Sequence, residues 1–265
     1  MAWNPQQYLK FAAERQRPGF DLLAQIGDLP PGPIYELGCG TGSHARAIAS
    51  RWPDHAVVGI DNSPEMLAEA ARTPSRIRWV EAEISAWQAP ERAALVYSNA
   101  TLHWLQHHEA LFPRLLAQLA PAGLLAVQMP RNFDDPSQRL LREIARAGAW
   151  AAKLAPLFEP DCPTPSLLRP DPVGRPEFYY DLLAPRAAGG IELWETEYIH
   201  QLVGANAVLE WMRGTTLRPV LDALDAGLRA SFLAAYGAAL AAAFPRRADG
   251  KTLLHFRRLF LVARA

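Results

Sequence analysis

The sequence predicts an α/β protein built on a doubly wound, mostly parallel sheet of seven strands. Short apolar, β-branched runs alternate with helical patterns from Pro33 to Met129. The first of these runs ends in a glycine-rich turn, Gly38-Cys39-Gly40-Thr41-Gly42. Strands that alternate with helices pack as a parallel sheet with helices on both faces, which buries the apolar side of every element. The 265 residues suffice for one such domain carrying an elaborate cap.

Taken in order, the first 29 residues read as two short helices broken at Arg17-Pro18. Pro33 to Leu37 is the first strand, and His44 to Trp52 has helical periodicity. Ala56 to Ile60 is the second strand and closes on Asp61. Ser63-Pro64-Glu65 then opens a helix, with serine as N-cap and proline at its first position. Arg76 to Val80 and Ala93 to Tyr97 are the third and fourth strands. Glu109 to Leu119 is a helix closed by the turn Pro121-Ala122-Gly123, and Leu124 to Met129 is the fifth strand.

Beyond Pro130 the rhythm changes. Pro136 to Leu157 reads as helix, and the proline-dense stretch from Glu159 to Glu177 as irregular chain. Ile191 to Leu202 is the sixth strand, an alanine-rich helical stretch covers Ala205 to Phe244, and Leu253 to Ala263 is the last strand. The expected organisation is a single domain over 1–265, with N-terminal helices in 1–29. A core over 30–135 is completed by strands near 189–202 and 252–265. Cap segments, 136–188 and 203–251, lie over the carboxyl edge of the sheet.

Half the residues are apolar, which excludes a disordered or fibrous chain. Lysine plus arginine and aspartate plus glutamate stand at 27 each, so nothing in the overall charge attracts nucleic acid or an anionic membrane. The two cysteines, Cys39 and Cys162, make no C-x-x-C spacing, and no metal site is expected. Met1 to Pro5 is polar and proline-broken, unlike a signal peptide, and no apolar run of about 18 residues is foreseen. These features predict a cytoplasmic protein whose partner is a small molecule. A charged substrate would need a local patch of opposite sign.

Doubly wound sheets bind ligands beyond the carboxyl ends of their strands, where the strand order reverses. Gly38 and Gly40 let the backbone turn tightly and approach a ligand closely. The spacing is G-x-G-x-G, whereas a dinucleotide fold uses G-x-G-x-x-G and aims a helix N-terminus at a pyrophosphate. Glu36, just before the glycines, would repel a pyrophosphate but suits the ammonium and sulfonium of S-adenosyl-L-methionine (AdoMet). Asp61, ending the second strand, can accept from both ribose hydroxyls. Glu83 and Ile84 can offer a hydrogen bond and an apolar wall to adenine, and Asn99 falls beneath the sulfonium. Cys39, Asn62 and Met66 complete the candidate cofactor set. A glycine turn alone serves many purposes. Polar residues at four successive strand ends are what make this one a candidate site. A nicotinamide oxidoreductase and a non-catalytic AdoMet-binding module remain the alternatives at this point.

The motif Glu36-Leu37-Gly38-Cys39-Gly40 with the later acids Asp61 and Glu83 resembles the class I AdoMet-dependent methyltransferases, whose fold is Rossmann-like. Longer segments are similar to the trans-aconitate 2-methyltransferase family: Trp3-Asn4-Pro5 with Tyr8-Leu9 and Glu14-Arg15, Trp52-Pro53, Gly59-Ile60-Asp61, Ser98-Asn99-Ala100, Val127-Gln128-Met129-Pro130, Tyr180-Asp181, Leu217-Arg218-Pro219 and Arg258-Leu259-Phe260. Three places depart from the family pattern. The loop reads Gly40-Thr41-Gly42-Ser43, Arg131 follows the fifth strand, and the last strand reads Phe256-Arg257-Arg258. Two of these add positive charge near the expected site.

The resemblance implies methylation of one carboxylate of a small polycarboxylic acid, trans-aconitate above all. A malonyl thioester on a carrier protein is the alternative acid. A carboxylate, with an ordinary pKa near 4, is already a nucleophile at neutral pH and needs no general base. The work is holding the reacting atoms in line, with arginines and neutral donors on the other carboxylates. The expected donors are Arg15, Arg218 and Arg258, with Tyr8, Tyr179 and Tyr180, while Trp3 and Trp104 wall the site. His103 follows Asn99 closely and is expected to position substrate. His107 and His108 read as a solvated helix start.

Overall fold

The computed structural model describes residues 12–159, 162, 168, 172–214 and 216–265. Its strands are β1 (Ile34–Leu37), β2 (Val57–Asp61), β3 (Arg78–Glu81), β4 (Ala93–Asn99), β5 (Leu119–Pro130), β6 (Ile191–Val203) and β7 (Lys251–Arg264). They form one sheet in the order β3-β2-β1-β4-β5-β7-β6. β7 runs antiparallel to β5 and β6, and all other pairings are parallel. The order reverses between β1 and β4, so a crevice for a ligand opens beyond Leu37 and Asn99.

The helices are α1 (Ala12–Ala24), α2 (Ser43–Arg51), α3 (Pro64–Ala71), α4 (His108–Leu116), α5 (Pro136–Ala145), α6 (Ala151–Leu154), α7 (Pro176–Leu183), α8 (Ala207–Arg213), α9 (Arg218–Asp222) and α10 (Ala226–Ala243). Both faces of the central strands are buried, as a covered parallel sheet requires. Leu95, Tyr97 and Ala126 pack against Leu22, Leu23 and Ile26 from the N-terminal segment and Ile48 of α2. Val96, Leu125 and Val127 face Phe112 and Leu115 of α4 and Tyr179 and Leu183 of α7. A further core belongs to the cap. Leu141 and Ala145 of α5, Leu209 and Trp211 of α8, and Phe232, Tyr236 and Leu240 of α10 close over Leu202 of β6 and Leu254 of β7.

Several elements differ from expectation. The predicted pair of N-terminal helices is, over the described part, one helix running through Pro18. Side chains brace it on either side of the proline: His44 Nε2 lies 3.1 Å from the Gln16 carbonyl, and the buried Tyr97 hydroxyl donates to the Gly19 carbonyl at 2.8 Å. The single helix expected over Pro136 to Leu157 stops at Ala145 and restarts at Ala151, because Gly148 adopts φ 76° between them. The alanine-rich stretch divides into α8, α9 and α10. Pro219 opens α9, and Asp225 caps α10 by accepting from the Leu228 N–H at 3.0 Å. By length and composition the 18 residues of α10 would suffice to cross a membrane, contrary to the sequence expectation. Phe232, Tyr236 and Leu240 bury one side of this helix in the cap.

Candidate active site

The glycine turn is built by hydrogen bonds from β1 to the end of β2. The N–H groups of Gly38 and Cys39 both donate to the Ile60 carbonyl, at 2.7 and 2.9 Å. The Gly40 N–H donates to Asp61 Oδ2 at 2.8 Å, and the Ser63 N–H to Asp61 Oδ1 at 3.0 Å. Asp61 therefore ties the turn to the helix that follows β2. Burial raises its carboxyl above the usual range, opposed by those N–H donors. Beside it, Asn62 Nδ2 donates to Glu83 Oε1 at 3.0 Å, linking the exits of β2 and β3.

The two glycines do different work. Gly38, at φ 73°, lies so close to Thr101 that an added Cβ would stand 2.1 Å from its hydroxyl oxygen. Gly40, at φ 52°, faces open space, with nothing within 4 Å of where a Cβ would be. Space for a close approach lies open at Gly40, whereas Gly38 is packed against Thr101. Cys39 is buried with its sulfur against Gly59, Met66 is buried within α3, and Ile84 is buried in the core.

Among the described residues, Glu36 and Asn99 near the switch point each hold a buried oxygen with no hydrogen-bond partner. Glu36 is 1% exposed, its Oε2 has no hydrogen bond, and the His44 ring, whose pKa burial lowers, stands with Nδ1 3.8 Å from its Oε1. Desolvation holds its carboxyl well above the usual range. Asn99 Oδ1 is also buried without a partner. An open glycine, a ring of carboxylates and orphaned acceptors together fit a cationic ligand with ribose hydroxyls, which is the chemistry of AdoMet.

A second cleft begins where the first ends. Ala100 takes φ 51°, a conformation a non-glycine residue rarely holds, and its N–H donates to the Gln128 carbonyl at 2.9 Å. The following 3-10 turn, Leu102–Trp104, brings His103 and Trp104 onto the wall. Arg15 of α1 and Arg258 of β7 reach the same space, a small cleft of about 80 Å³ that opens to solvent. Among the described residues lining it there is no aspartate or glutamate.

Each arginine is braced. Arg15 donates to the Trp211 carbonyl at 3.1 Å and lies 5.0 Å from that indole. Arg258 lies 4.4 Å from the Phe256 ring and donates to Gln128 Oε1 at 3.4 Å. His103 is buried, and its pKa is brought down to about 3, first by desolvation and then by Arg258 and His108. It is neutral at physiological pH.

Residues 34–123 match a protein family described as a methyltransferase domain. The chain is 44% identical to the trans-aconitate 2-methyltransferase of Sinorhizobium fredii (strain NBRC 101917 / NGR234), over 99% of this chain and 98% of that protein. It is equally similar, at 44%, to the enzyme of that name from Azoarcus sp. (strain BH72), over 98% of each. The chain belongs to the trans-aconitate 2-methyltransferase family.

Likeness to solved structures confirms the fold. The YcgJ protein of Bacillus subtilis aligns with a TM-score of 0.55 at 11% identity, over 94% of this chain and 98% of that one. Haemonchus contortus phosphoethanolamine N-methyltransferase 2, in complex with phosphomonomethylethanolamine and S-adenosylhomocysteine, aligns at 0.50 and 16% identity. That alignment covers 93% of this chain, which spans about half the length of the Haemonchus protein. Family membership and fold together make the chain an AdoMet-dependent methyltransferase of the class I fold.

Within this trans-aconitate 2-methyltransferase family member, the structure redistributes the predicted donors. Arg15, His103, Trp104 and Arg258 come together in the cleft. Tyr179 does not. It is fully buried in the core, where its hydroxyl lies 2.7 Å from His108 Nδ1 and accepts from the Gly174 N–H at 3.2 Å. Tyr179 and Leu183 form the buried stripe of α7, so Tyr180, one residue round the helix, is 52% exposed and faces away. Arg218 is half-buried at the start of α9 and is not on the wall, because Leu217, Pro219 and Val220 take the buried sides of that short helix. Trp3 and Tyr8 lie outside the described residues.

His108, expected to be solvated, is buried between Tyr179 and the Leu102 carbonyl, while His107 is exposed. The two added arginines are neutralised away from the cleft. Arg131 pairs with Glu195, and Arg257 lies 3.9 Å from Asp135. The sequence reading missed Asn132, Gln138, Trp211, Thr216 and Phe256 on the cleft wall. A signal existed for Gln138. It stands three and seven residues before Leu141 and Ala145 on α5, which puts it on the apolar side of that helix.

Proposed function

We propose that this enzyme esterifies one carboxylate of a small polycarboxylic acid, and that the acid is trans-aconitate, the substrate in the relatives' name. The observation that supports this reading is the convergence of Arg15 and Arg258 on a small cleft beside the end of β4. No described carboxylate on the wall opposes them. Two buried guanidinium groups suit two carboxylates, each taken by a planar pair of N–H donors. The third carboxylate is then left facing the end of β4.

At the other end, Asp61 would accept from the ribose hydroxyls and Glu83 with Ile84 would hold the adenine. Glu36 and Asn99 would serve the methionine end and the sulfonium, and Gly40 would leave room for all of it. Asn62 would steady Glu83, and Gly38, Cys39 and Met66 would shape the turn. When bound, AdoMet supplies a methyl group activated by its sulfonium.

The chain's own task is then orientation and exclusion of water. The attacking carboxylate carries its negative charge at neutral pH, so no side chain has to remove a proton. His103, with its pKa near 3, is too weak a base to activate a hydroxyl efficiently and serves as a neutral hydrogen-bonding group. Trp104 and Phe256 close the apolar sides of the cleft. Holding the reacting oxygen in line is where the rate enhancement arises. The two cysteines, both buried and neither in a disulfide, suit a cytoplasmic setting.

The test is kinetic. Arg258→Ala should lower kcat/KM for trans-aconitate by about 10- to 100-fold, the worth of a hydrogen bond to a charged group. Its AdoMet affinity by calorimetry should stay unchanged. A kcat/KM equal to the parent enzyme's would remove the cationic cleft from substrate binding.

A further inference from the structure

The cleft has a polar wall that its arginines do not account for. Gln138 stands in the first turn of α5, 3% exposed, and Thr216, 5% exposed, stands in the segment between α8 and α9. Both line the cleft. Gln138 Nε2 lies 3.4 Å from Thr216 Oγ1, near the long limit of a hydrogen bond, and Gln138 Oε1 is buried with no partner. Buried polar atoms in folded proteins are nearly always satisfied, so a half-bonded amide on a cavity wall is a position that a ligand completes.

The backbone beneath this amide is fixed. The Tyr236 hydroxyl of α10 donates to the Ser137 carbonyl at 2.9 Å, and Leu141 and Ala145 anchor the same helix in the cap core. The two ends of a glutamine amide are nearly isosteric, and a half-turn exchanges them. After that half-turn the Thr216 hydroxyl donates to Oε1, and an N–H of Nε2 takes the place of the unpartnered oxygen, where it calls for an acceptor. An anionic ligand offers acceptors only, so this orientation is the one it selects.

We propose that Gln138, oriented by Thr216, is a specificity-determining residue that donates a hydrogen bond to a substrate carboxylate other than the one methylated. The inference rests on the polycarboxylate reading of the same cleft. A neutral amide beside two arginines adds a donor without a third positive charge. It thereby favours an acid whose further carboxylate or carbonyl oxygen reaches the α5 side of the cleft.

The test is steady-state kinetics with trans-aconitate, together with AdoMet affinity and melting temperature for each variant. Gln138→Leu should raise KM about tenfold or more, with kcat within about twofold of the parent and AdoMet affinity unchanged. Gln138→Glu should raise KM further, because a carboxylate on the wall repels the substrate. Thr216→Val preserves shape and removes the hydroxyl, and should raise KM several-fold at unchanged kcat. Parent-like KM in Gln138→Leu, with only the melting temperature lowered, means that the residue merely packs α5, and overturns the proposal. Should Gln138→Leu fail to fold, an unchanged KM in Thr216→Val overturns it alone. If Arg15→Ala and Arg258→Ala also leave KM and kcat unaltered, the polycarboxylate reading itself fails. If they impair turnover and Gln138→Leu does not, only the role of Gln138 falls.

Discussion

At the residue scale, two glycines two positions apart differ in what surrounds them: Gly38 is packed against Thr101 and Gly40 faces open space. Gly38→Ala must push Thr101 aside, and that side chain is branched and sits at the exit of β4. Its expected effect is a loss of about 2–4 kcal/mol of stability in denaturant melts, the scale of core overpacking plus a strained φ. Gly40→Ala meets no neighbour, so its fold should survive with a loss of about 1 kcal/mol from the left-handed backbone. Its AdoMet affinity should nonetheless fall, and a Gly40→Ala variant that binds AdoMet normally would take the turn out of the site. Asp61→Ala should weaken AdoMet by about 2–4 kcal/mol in calorimetry, the worth of two hydrogen bonds to a charged group. It should also loosen the turn, since Gly40 loses its partner. The acids and glycines were legible in the sequence because strand ends are fixed by short apolar runs. The division of labour between Gly38 and Gly40 was not, because it depends on Thr101, far along the chain.

At the element scale, what periodicity could show was the sheet, and what it could not show was how the cap folds back. Six of the strands fall within a few residues of the apolar runs that announced them, whereas β5 starts at Leu119, where a helix was expected to end, and runs through Pro121-Ala122-Gly123, which was expected to be a turn. Helix α1 is the instructive failure. Proline ordinarily ends a helix, yet tertiary contacts carry this one past Pro18 and so deliver Arg15 to the cleft. The Tyr97 hydroxyl, buried beneath α1, is one of those contacts. Tyr97→Phe should cost about 1–2 kcal/mol by stranding the Gly19 carbonyl. An unchanged melting curve would mean that the helix is held by its apolar side alone. Arg15 was foreseen and Gln138 was not, for a related reason. An arginine in a family-like segment draws notice, whereas a glutamine reads as surface until a second helix closes over it.

At the scale of the whole molecule, a net charge of zero conceals local imbalance: cations in the cleft and carboxylates along the strand ends. Several buried histidines are held neutral. His200 has its pKa brought down to about 4, by desolvation first and then by Arg258, Arg17 and Arg15. Between about pH 6.5 and 4 the unfolded chain binds a proton there that the folded one does not, so His200 contributes stability that is lost as pH falls through this window. The raised carboxyls of Glu36, Asp61 and Asp135 act in the opposite sense. The readout is therefore a difference. His200→Gln should lose about 1.4 kcal/mol per pH unit of slope relative to the parent across that range, and parallel curves would refute a buried neutral His200. The central claim is that a cationic cleft with no working base directs a methyl group onto a carboxylate. Its most direct measurement is the product formed from trans-aconitate and AdoMet, identified by mass and followed from about pH 6.5 to 9. The account predicts a monomethyl ester, with a chemical step nearly independent of pH. No ester, or a rate that climbs with a histidine-like midpoint and collapses in His103→Gln, would contradict it.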